Sequence, residues 1–242
     1  MASHLYNSRL GKVAWFVRRF GAGELLKKPL RCAFAPLIIP RLAKREFVYG
    51  DKSLPLFYHG YNMTWANERA VEVPIGRDYL SCADGGRVLE VGNVLSHYGK
   101  ITHTVLDKFE QGEGIINEDI LAYSPAERFD LILSISTFEH IGFDDEAAGD
   151  SGEKIRRAIA ACRALLADEG RLVLTVPLGY NPALDRMIAD DQLQCDSAIF
   201  IRRSGALDWE PTSVDRALDC RYGSPFPYAN AVMVAEFGRA AA

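Results

Sequence analysis

The sequence lacks long apolar runs and paired cysteines. No stretch approaches the roughly 20 consecutive apolar residues that a membrane-spanning helix needs. The five cysteines of the 242-residue chain are scattered without a C-x-x-C pair, which disfavours a cysteine-based metal site and is typical of a reducing cytoplasm. An export signal is not expected either, because no long apolar run follows Arg18 and Arg19. We therefore expect a cytoplasmic protein with one substantial core.

The sequence also lacks the glycine pattern of a dinucleotide-binding turn. Residues 87–91 form a short apolar run, typical of a buried strand, and Gly92 follows it. A pyrophosphate-binding turn needs the pattern G-x-G-x-x-G, but Gly92 is followed by Asn93, Val94, Leu95 and Ser96. The pattern disfavours a reductase and favours a ligand that has a ribose and no pyrophosphate.

Carboxylates end several of the short apolar segments. Glu90 lies at the end of the run 87–91, and Asp107 ends the next run at residue 107. Residues 114–120 resemble a third strand and carry Asp119. Because the carboxyl ends of parallel strands meet at one edge of a sheet, acids placed there suit the hydroxyls of a ribose.

The remaining segments continue an alternation of strands and helices. We predict a fourth strand over 129–135, a helix over 152–168 that Glu169 and Gly170 end, and a fifth strand over 171–177. Residues 197–202 and 231–237 are predicted closing strands. The expected fold is a Rossmann-like α/β sheet, mostly parallel and seven-stranded, with flanking helices. Its expected parts are an arm over 1–48, a lid over 49–80 and the main domain over 81–242.

In this order of strands and acids, the chain resembles class I S-adenosylmethionine-dependent methyltransferases over about residues 87–180, and more weakly over the last strand. The resemblance implies S-adenosylmethionine as cofactor, with Asp119 beside the adenine amino group. The implied cofactor-binding residues are Glu90, Gly92, Asn93, Asp107, Asp119, Ile120, Ser134 and Ser136. Residues 137–142 resemble the corresponding segment of bacterial enzymes that methylate sugars and small hydroxylated metabolites.

The segment after the fourth strand carries the candidate catalytic groups. An alcohol is a poor nucleophile until its proton is being removed, so methyl transfer to oxygen benefits from a positioned base. His140 is the candidate base, because a neutral imidazole accepts a proton near pH 7. Glu139 could orient the ring or act as the base itself. The alternative is that His140 only begins a helix and hydrogen-bonds to the backbone.

Two further groups of residues near this edge could contact a metal or the acceptor. Asp144, Asp145 and Glu146 could hold Mg²⁺ through hard oxygen ligands, or could form a solvated turn. Tyr180, Asn181 and Asp185 could hydrogen-bond a polyol, or could be ordinary turn residues. The long connection over 209–227 could wall the acceptor pocket.

The segment before the first strand is rich in aromatic and polar residues. Thr64 is a predicted cap of a helix through Val73, which would place Glu68 and Glu72 on one face. As a lid, this segment would offer Glu68 and Glu72 to the cationic methionine part of the cofactor, and Tyr61, Trp65 and Asn67 to the ligands. The alternative is a surface helix whose acids pair with Arg69.

The amino-terminal arm differs in charge from the rest of the chain. Residues 1–48 carry ten Lys or Arg and two Glu, a net charge of +8, so the remainder carries -12. Residues 5–20 are a predicted amphipathic helix, and three prolines indicate that 29–40 is too interrupted for one long helix. The arm could pack over the fold, form a homodimer contact or lie on an anionic membrane surface. Nucleic acid is disfavoured, because the main domain is acidic.

Together these patterns predict an S-adenosylmethionine-dependent O-methyltransferase of a small polyhydroxylated acceptor, a sugar or glycoside, with His140 as general base. One alternative is N-methylation of a small amine, which needs less base catalysis. Another is a non-catalytic Rossmann-like adaptor at the inner face of a membrane.

Overall fold

The computed structural model describes Val17 and residues 22–42, 44–83, 85–144 and 151–239. The strands are β1 (Glu46–Tyr49), β2 (Lys52–Pro55), β3 (Val88–Val91), β4 (Thr104–Leu106), β5 (Ile115–Ile116), β6 (Phe129–Ile135), β7 (Leu166–Pro177), β8 (Ser197–Arg203), β9 (Trp209–Thr212) and β10 (Ala231–Gly238). The α-helices are α1 (Ala22–Leu42), α2 (Arg69–Cys82), α3 (Ser151–Ala164), α4 (Pro182–Ala189) and α5 (Val214–Leu218). Short 3₁₀ helices span Tyr61–Ala66, Leu95–Tyr98 and Phe138–His140.

The central sheet has eight strands in the order β5-β4-β3-β6-β7-β10-β8-β9. The first five strands in this order, from β5 through β4, β3 and β6 to β7, run parallel. Strand β10 is antiparallel to both of its neighbours, and β9 is antiparallel to β8. The prediction of a mostly parallel α/β sheet is confirmed. The expected number of seven strands is wrong by one, because Trp209–Thr212 leaves the predicted loop and pairs with the edge of β8.

Both faces of the sheet are covered, and the core lies in two layers. Helices α3, α4 and α5 pack on one face. Helix α2 and the β1-β2 hairpin pack on the other, where Val71 and Val73 are fully buried in the same cluster as Leu133. Burial of such a side chain contributes about 1.5–3 kcal/mol. Residues 49–80 therefore share a hydrophobic core with the sheet.

Helix α3 ends earlier than the sequence predicts. It stops at Ala164 instead of residue 168, and β7 begins at Leu166. The chain enters the sheet here because the Phe129 N–H donates to the Leu165 carbonyl at 2.9 Å and Phe129 pairs with Leu166. The pairing of β6 with β7 shifts register between Phe129 and Leu131. Glu169 and Gly170 therefore lie within a strand instead of ending a helix.

Helix α1 is continuous over 21 residues and contains Pro29, Pro36 and Pro40. The prediction that these prolines interrupt the segment is wrong. Each proline frees the carbonyl four residues before it. All three prolines lie on the exposed side, where water can satisfy such a carbonyl. The predicted amphipathic helix over 5–20 lies outside the described residues, apart from Val17.

The helix that carries Glu68 and Glu72 begins later than expected. Thr64 belongs to the 3₁₀ helix, where its Oγ1 donates to the Phe57 carbonyl at 2.8 Å and accepts the His59 N–H at 2.7 Å. These bonds close the preceding loop, so Thr64 does not cap a helix. Helix α2 begins at Arg69 and runs to Cys82. No helix in the described ranges is long and apolar enough to span a bilayer.

Candidate functional site

A cavity of about 920 Å³ opens at the carboxyl ends of β3, β4 and β6. This is the point where the strand order reverses, because β4 and β6 lie on opposite sides of β3. Ligands of open α/β sheets bind at this edge. The lining residues include Asn62, Gly92, Asn93, Asp107, Lys108, Phe109, Asp119, Ile120, Leu121, Ser136, Thr137, His140, Lys154 and Arg157.

Gly92 forms the turn after β3 with a φ of 87°, a conformation that favours glycine. Its N–H donates to the Leu106 carbonyl at 2.8 Å, which ties the turn to β4. A Cβ on Gly92 would lie 2.1 Å from Oγ1 of Thr137, in the segment after β6. Gly92 therefore lets two loops meet at the cavity wall and brings Asn93 to the cavity.

Glu90 does not line the cavity, although it lies at the end of β3. The residue is fully buried. Its Oε1 accepts the N–H groups of Val94 and Leu95 at 2.9 and 2.8 Å, and its Oε2 lies 2.7 Å from Nε2 of His103. Glu90 thus holds the loop that follows Gly92 from behind. These hydrogen bonds fix the conformation of a loop that has Val94 and Ser96 instead of further glycines.

Asp107 and Asp119 both line the cavity, one from each of two neighbouring strand ends. Oδ1 of Asp107 accepts the N–H groups of Phe109 and Glu110 at 2.8 and 2.7 Å, while Oδ2 accepts the Asn93 N–H at 3.0 Å. Oδ2 of Asp119 lies 3.1 Å from Nζ of Lys108. Against the effect of partial burial, the Leu121 amide and Lys108 lower the pKa of Asp119, so it stays ionised.

The floor of the cavity continues into a buried polar network around Glu72. Oγ of Ser136 lies 2.7 and 2.9 Å from the two carboxylate oxygens of Glu72, and Oγ1 of Thr175 lies 2.9 Å from Oε1. Arg69 forms an ion pair with the same carboxylate. Ser136 has a φ of 40°, which is unusual for a residue other than glycine. Ser134 is buried, donates to the Val91 carbonyl at 2.7 Å and is not among the lining residues.

His140 stands between two carboxylates at the side of the cavity. Its Nδ1 lies 2.5 Å from Oδ2 of Asp144, and its Nε2 lies 3.4 Å from Oε1 of Glu139. Tyr180 donates to the same Asp144 oxygen at 2.6 Å, and its ring meets the imidazole edge to face at 4.9 Å. The His140 side chain is 44% exposed, so the ring remains accessible from the cavity.

Glu139 lies behind His140 and is almost completely buried. Its Oε2 has no hydrogen-bond partner among the described residues. Burial first, and Glu72 second, raise the pKa of Glu139 to about 7, although His140 opposes the change. Burial lowers the pKa of His140, but Glu139 and Asp144 outweigh it and raise that pKa above its ordinary value. Glu139 therefore titrates near neutral pH beside His140.

Four of the residues predicted on the lid are Tyr61, Trp65, Asn67 and Glu68, of which one is exposed and three are buried. Tyr61 is 46% exposed and stacks on His97 at 5.0 Å, whereas Trp65 is buried in a cluster with Ala35 of α1 and with Met63 and Ala66. Glu68 is buried, accepts the Ala229 N–H at 3.1 Å, and has a pKa raised by burial and by Glu72. Asn67 accepts the Arg69 N–H at 3.1 Å. None of these four residues is among the lining residues of the cavity.

The predicted acceptor and metal residues lie close to His140, but several are engaged in local structure. Asn181 caps α4 and donates from Nδ2 to the Glu139 carbonyl at 2.9 Å. Asp185 accepts the Gly179 N–H at 3.1 Å, and burial raises its pKa. Asp145 and Glu146 lie outside the described residues. Within the described ranges, no group of three or more His, Cys, Asp or Glu residues could hold a metal ion.

Sequence reasoning missed several residues at the cavity, among them Asn62, Thr137, Phe109 and Leu121, and it expected Glu72 on a lid or a surface helix instead of beneath the cavity. Thr137 meets Gly92, Glu72 binds Ser136, and Asn62 lines the cavity with a φ of 54° that is followed by a φ of 46° at Met63. Strained backbone clusters at functional sites. The contact between Glu72 and Ser136 joins residues 64 positions apart, so neither spacing nor strand order could reveal it.

No protein-family model matches this chain, and no curated protein matches it either. Among solved structures, the chain is similar to the N-methyltransferase NodS of Bradyrhizobium japonicum in complex with S-adenosyl-L-homocysteine, with 18% identity, 69% of this chain and 86% of that chain covered, and a TM-score of 0.40. A TehB-like S-adenosylmethionine-dependent methyltransferase of Corynebacterium glutamicum has 20% identity over 68% of this chain and 88% of that chain, with a TM-score of 0.40.

A third similar structure is an N1-methyltransferase of 1,6-didemethyltoxoflavin from Burkholderia thailandensis, with 14% identity, 79% of this chain and 97% of that chain covered, and a TM-score of 0.37. The function of the present chain is therefore inferred from its own cavity.

Proposed function

We propose that the chain is an S-adenosylmethionine-dependent methyltransferase that acts on a hydroxyl group of a small polyhydroxylated acceptor. The cavity of about 920 Å³ is large enough for a nucleoside and a small second substrate. Asp107 and Asp119 offer carboxylates to ribose hydroxyls and to an adenine amino group. Phe109 and Leu121, both exposed beside them, offer apolar surface to a purine face.

The buried acids under the cavity suit a positively charged ligand. S-adenosylmethionine supplies an electrophilic methyl group on a sulfonium centre. Arg69 pairs with Glu72, and Glu139, whose pKa of about 7 leaves it partly ionised at neutral pH, adds negative charge beside them. This charge favours the cationic sulfonium and amine. Gly92 and Asn93 complete the wall from the β3 side.

The pairing of His140 with Asp144 is the observation that carries the choice of a hydroxyl acceptor. Asp144 accepts the Nδ1–H of the neutral ring, which leaves the lone pair of Nε2 as the proton acceptor. The separation of 3.4 Å between Nε2 and Glu139 is longer than a normal hydrogen bond, so Nε2 can turn to a hydroxyl in the cavity. Glu139, with a pKa of about 7, can then share the proton that His140 takes.

The first experiment is titration calorimetry of the purified chain with S-adenosylhomocysteine, with NADH as control. We expect saturable binding of S-adenosylhomocysteine only, weakened by Asp107→Ala. Absence of binding would remove the basis of the proposed activity. With binding established, sugars and glycosides are screened as methyl acceptors with and without EDTA, since Asp144 and its neighbours leave a role for Mg²⁺ to be tested.

The decisive variant is His140→Ala. We expect a loss of turnover of about 100-fold or more, the usual contribution of a general base, with nearly unchanged cofactor affinity. His97→Ala is the matched control, because His97 lies in the segment after Gly92 but is not among the lining residues of the cavity. The acidic limb of the pH–rate profile should lie above the ordinary histidine pKa and move down in Asp144→Asn. Normal turnover in His140→Ala would exclude the base role.

An amine acceptor is the second candidate, because the partial negative charge of Glu139 also favours a cationic substrate. A protonated amine loses its proton to water more readily than an alcohol does, and the neutral amine is already a nucleophile, so its methylation depends less on a base. In that case His140→Ala would retain most of its turnover with amines and show none with sugars.

A further inference from the structure

Helix α1 carries apolar side chains on two opposite faces. On one face Ala35, Ile39 and Leu42 pack with Met63 and Trp65 of the 3₁₀ helix. On the other, Leu30, Phe34 and Leu37 are 57%, 52% and 58% exposed. Spacings of four and three residues place these three side chains in one line. We name Leu30, Phe34 and Leu37 the apolar stripe.

The sequence segment that contains the apolar stripe is strongly positive. Residues 1–48 carry a net charge of +8, and Lys27, Lys28 and Arg31 adjoin Leu30 in the sequence. Arg41 continues the line by one turn, and its guanidinium donates to the Leu37 carbonyl at 2.7 Å. Arg45 differs, because it pairs with Asp208 at 2.8 Å and turns toward the main domain.

We propose that the apolar stripe and the surrounding cations form a docking surface for an anionic lipid bilayer. A helix with exposed large apolar side chains and flanking Lys or Arg lies in the interfacial plane, with its apolar face among the acyl chains. Each cation near an anionic surface adds about 1 kcal/mol. A second copy of the chain fits less well, because pairing two such arms would bring two net charges of +8 together.

The docking surface lies next to the cavity. The inner face of α1 packs on the 3₁₀ helix Tyr61–Ala66, and Asn62 of that helix lines the cavity. A bilayer bound to the outer face would therefore bring the cavity within about two helix diameters of the lipid headgroups, which is on the order of 20 Å. This inference does not depend on methyl transfer, so the two proposals can fail independently.

The test is co-sedimentation of the full chain with vesicles. One set contains phosphatidylcholine and phosphatidylglycerol at about three to one, and the other contains phosphatidylcholine only. We expect binding to the anionic vesicles at low salt, weakened in about 0.5 M NaCl where the Debye length falls below ~5 Å. Binding to the neutral vesicles should be at least ten times weaker.

The triple variant L30S/F34S/L37S should bind anionic vesicles at least ten times more weakly. Because all three side chains are exposed, its melting temperature should be that of the wild type. Val48→Ser, which removes a side chain of similar exposure from β1, is the matched control and should bind normally.

Three results would overturn the proposal. One is absence of binding to anionic vesicles at low salt. Another is equal binding by the triple variant and the wild type, which would assign the binding to other residues. The third is a dimer in light scattering that the triple variant converts to a monomer without any vesicle binding, which would assign the stripe to a second copy.

Discussion

At the scale of single residues, the most informative group is the buried carboxylate of Glu139. One of its oxygens faces His140 at 3.4 Å, and the other has no hydrogen-bond partner among the described residues. Leaving such an atom unpaired costs free energy, and the protein reduces this cost by holding the group partly protonated at neutral pH. The unpaired oxygen of Glu139 therefore lowers the stability of the fold, but it leaves beside His140 a carboxylate that can accept a proton.

We predict that Glu139 makes stability fall as pH rises. Its pKa is raised from 4.5 to about 7 in the folded state, so between these values the folded state binds more protons than the unfolded state. The free energy of unfolding then decreases with pH across this window, by up to about 3 kcal/mol. Urea unfolding of the wild type and Glu139→Gln should give similar stabilities near pH 4.5 and a less stable wild type near pH 8. A constant difference across the window would contradict the prediction.

A second residue-scale prediction concerns Gly92. The variant Gly92→Ala combines a positive φ with a Cβ placed 2.1 Å from Thr137, whereas Gly85→Ala has a φ of 76° and no atom within 4 Å. Gly85→Ala should cost about 1 kcal/mol, the usual penalty of that backbone conformation. Gly92→Ala should cost clearly more and should weaken S-adenosylhomocysteine binding. Equal melting temperatures for the two variants would show that Thr137 moves away freely.

Sequence order predicted the neighbourhood of several site residues but not their partners. Asp107, Asp119 and His140 lie where the ends of successive strands predicted them, because parallel strands align their carboxyl ends. Glu90 satisfied the same pattern yet lies behind the loop. Its carboxylate accepts the backbone N–H groups of the residues four and five positions later in the chain. These bonds depend on the conformation of the loop, which the order of strands does not predict.

At the scale of elements, the segments that frame the site are held by side chains as well as by the sheet. Asn181 begins α4, where its Oδ1 accepts the N–H groups of Ala183 and Leu184 at 3.0 and 3.4 Å. Its Nδ2 reaches Ser151 at 3.1 Å, at the start of α3, as well as the Glu139 carbonyl. A single amide thus fixes the start of two helices and the segment that carries His140.

Asn181→Ala should therefore affect both stability and activity. Loss of a cap costs about 1 kcal/mol, and the lost bond to the Glu139 carbonyl should lower turnover with little change in cofactor affinity. Ser213→Ala is the control, because Ser213 occupies the cap position of α5 without a side-chain cap bond. Thermal unfolding and turnover of both variants test this prediction. An unchanged turnover in a destabilised Asn181→Ala would limit Asn181 to capping.

Element boundaries followed the sequence where burial is continuous and departed from it elsewhere. Strand β6 spans Phe129–Ile135 as predicted, since a run of apolar residues flanked by polar ones leaves little freedom. The boundaries of helix α1 differ from the prediction because exposed prolines are tolerated within it. Strand β9 was not predicted, because its formation depends on pairing with the edge strand β8. Both outcomes depend on neighbours far away in the sequence.

At the scale of the whole molecule, the cavity and the docking surface lie on two parts of opposite net charge. The arm carries +8 and the remainder -12. An anionic bilayer would attract the first and repel the second, so the charge pattern fixes which side of the protein approaches the lipid. The wall of the cavity that includes Asn62 belongs to the side nearer the arm.

Binding of the cofactor should stabilise the whole domain, because the cavity is built from β3, β4, β6 and the segment before α2. S-adenosylhomocysteine at about 100 times its dissociation constant should add ~2.7 kcal/mol. For a chain of this size, the melting temperature should rise by about 5–10 °C. Asp107→Ala should lose most of this rise, and NADH should cause none. A rise of similar size with both ligands would indicate non-specific binding.

The position of β10 has a consequence for how the chain is made. Strand β10 fills the gap between β7 and β8, yet it is the last described strand to leave the ribosome. Until Ala231–Gly238 emerges, β7 and the β8-β9 pair expose unpaired backbone edges that invite pairing with other nascent chains. The sheet therefore cannot be completed before residues 231–238 are made, and a chain that terminates before residue 231 should aggregate instead of forming a smaller folded protein.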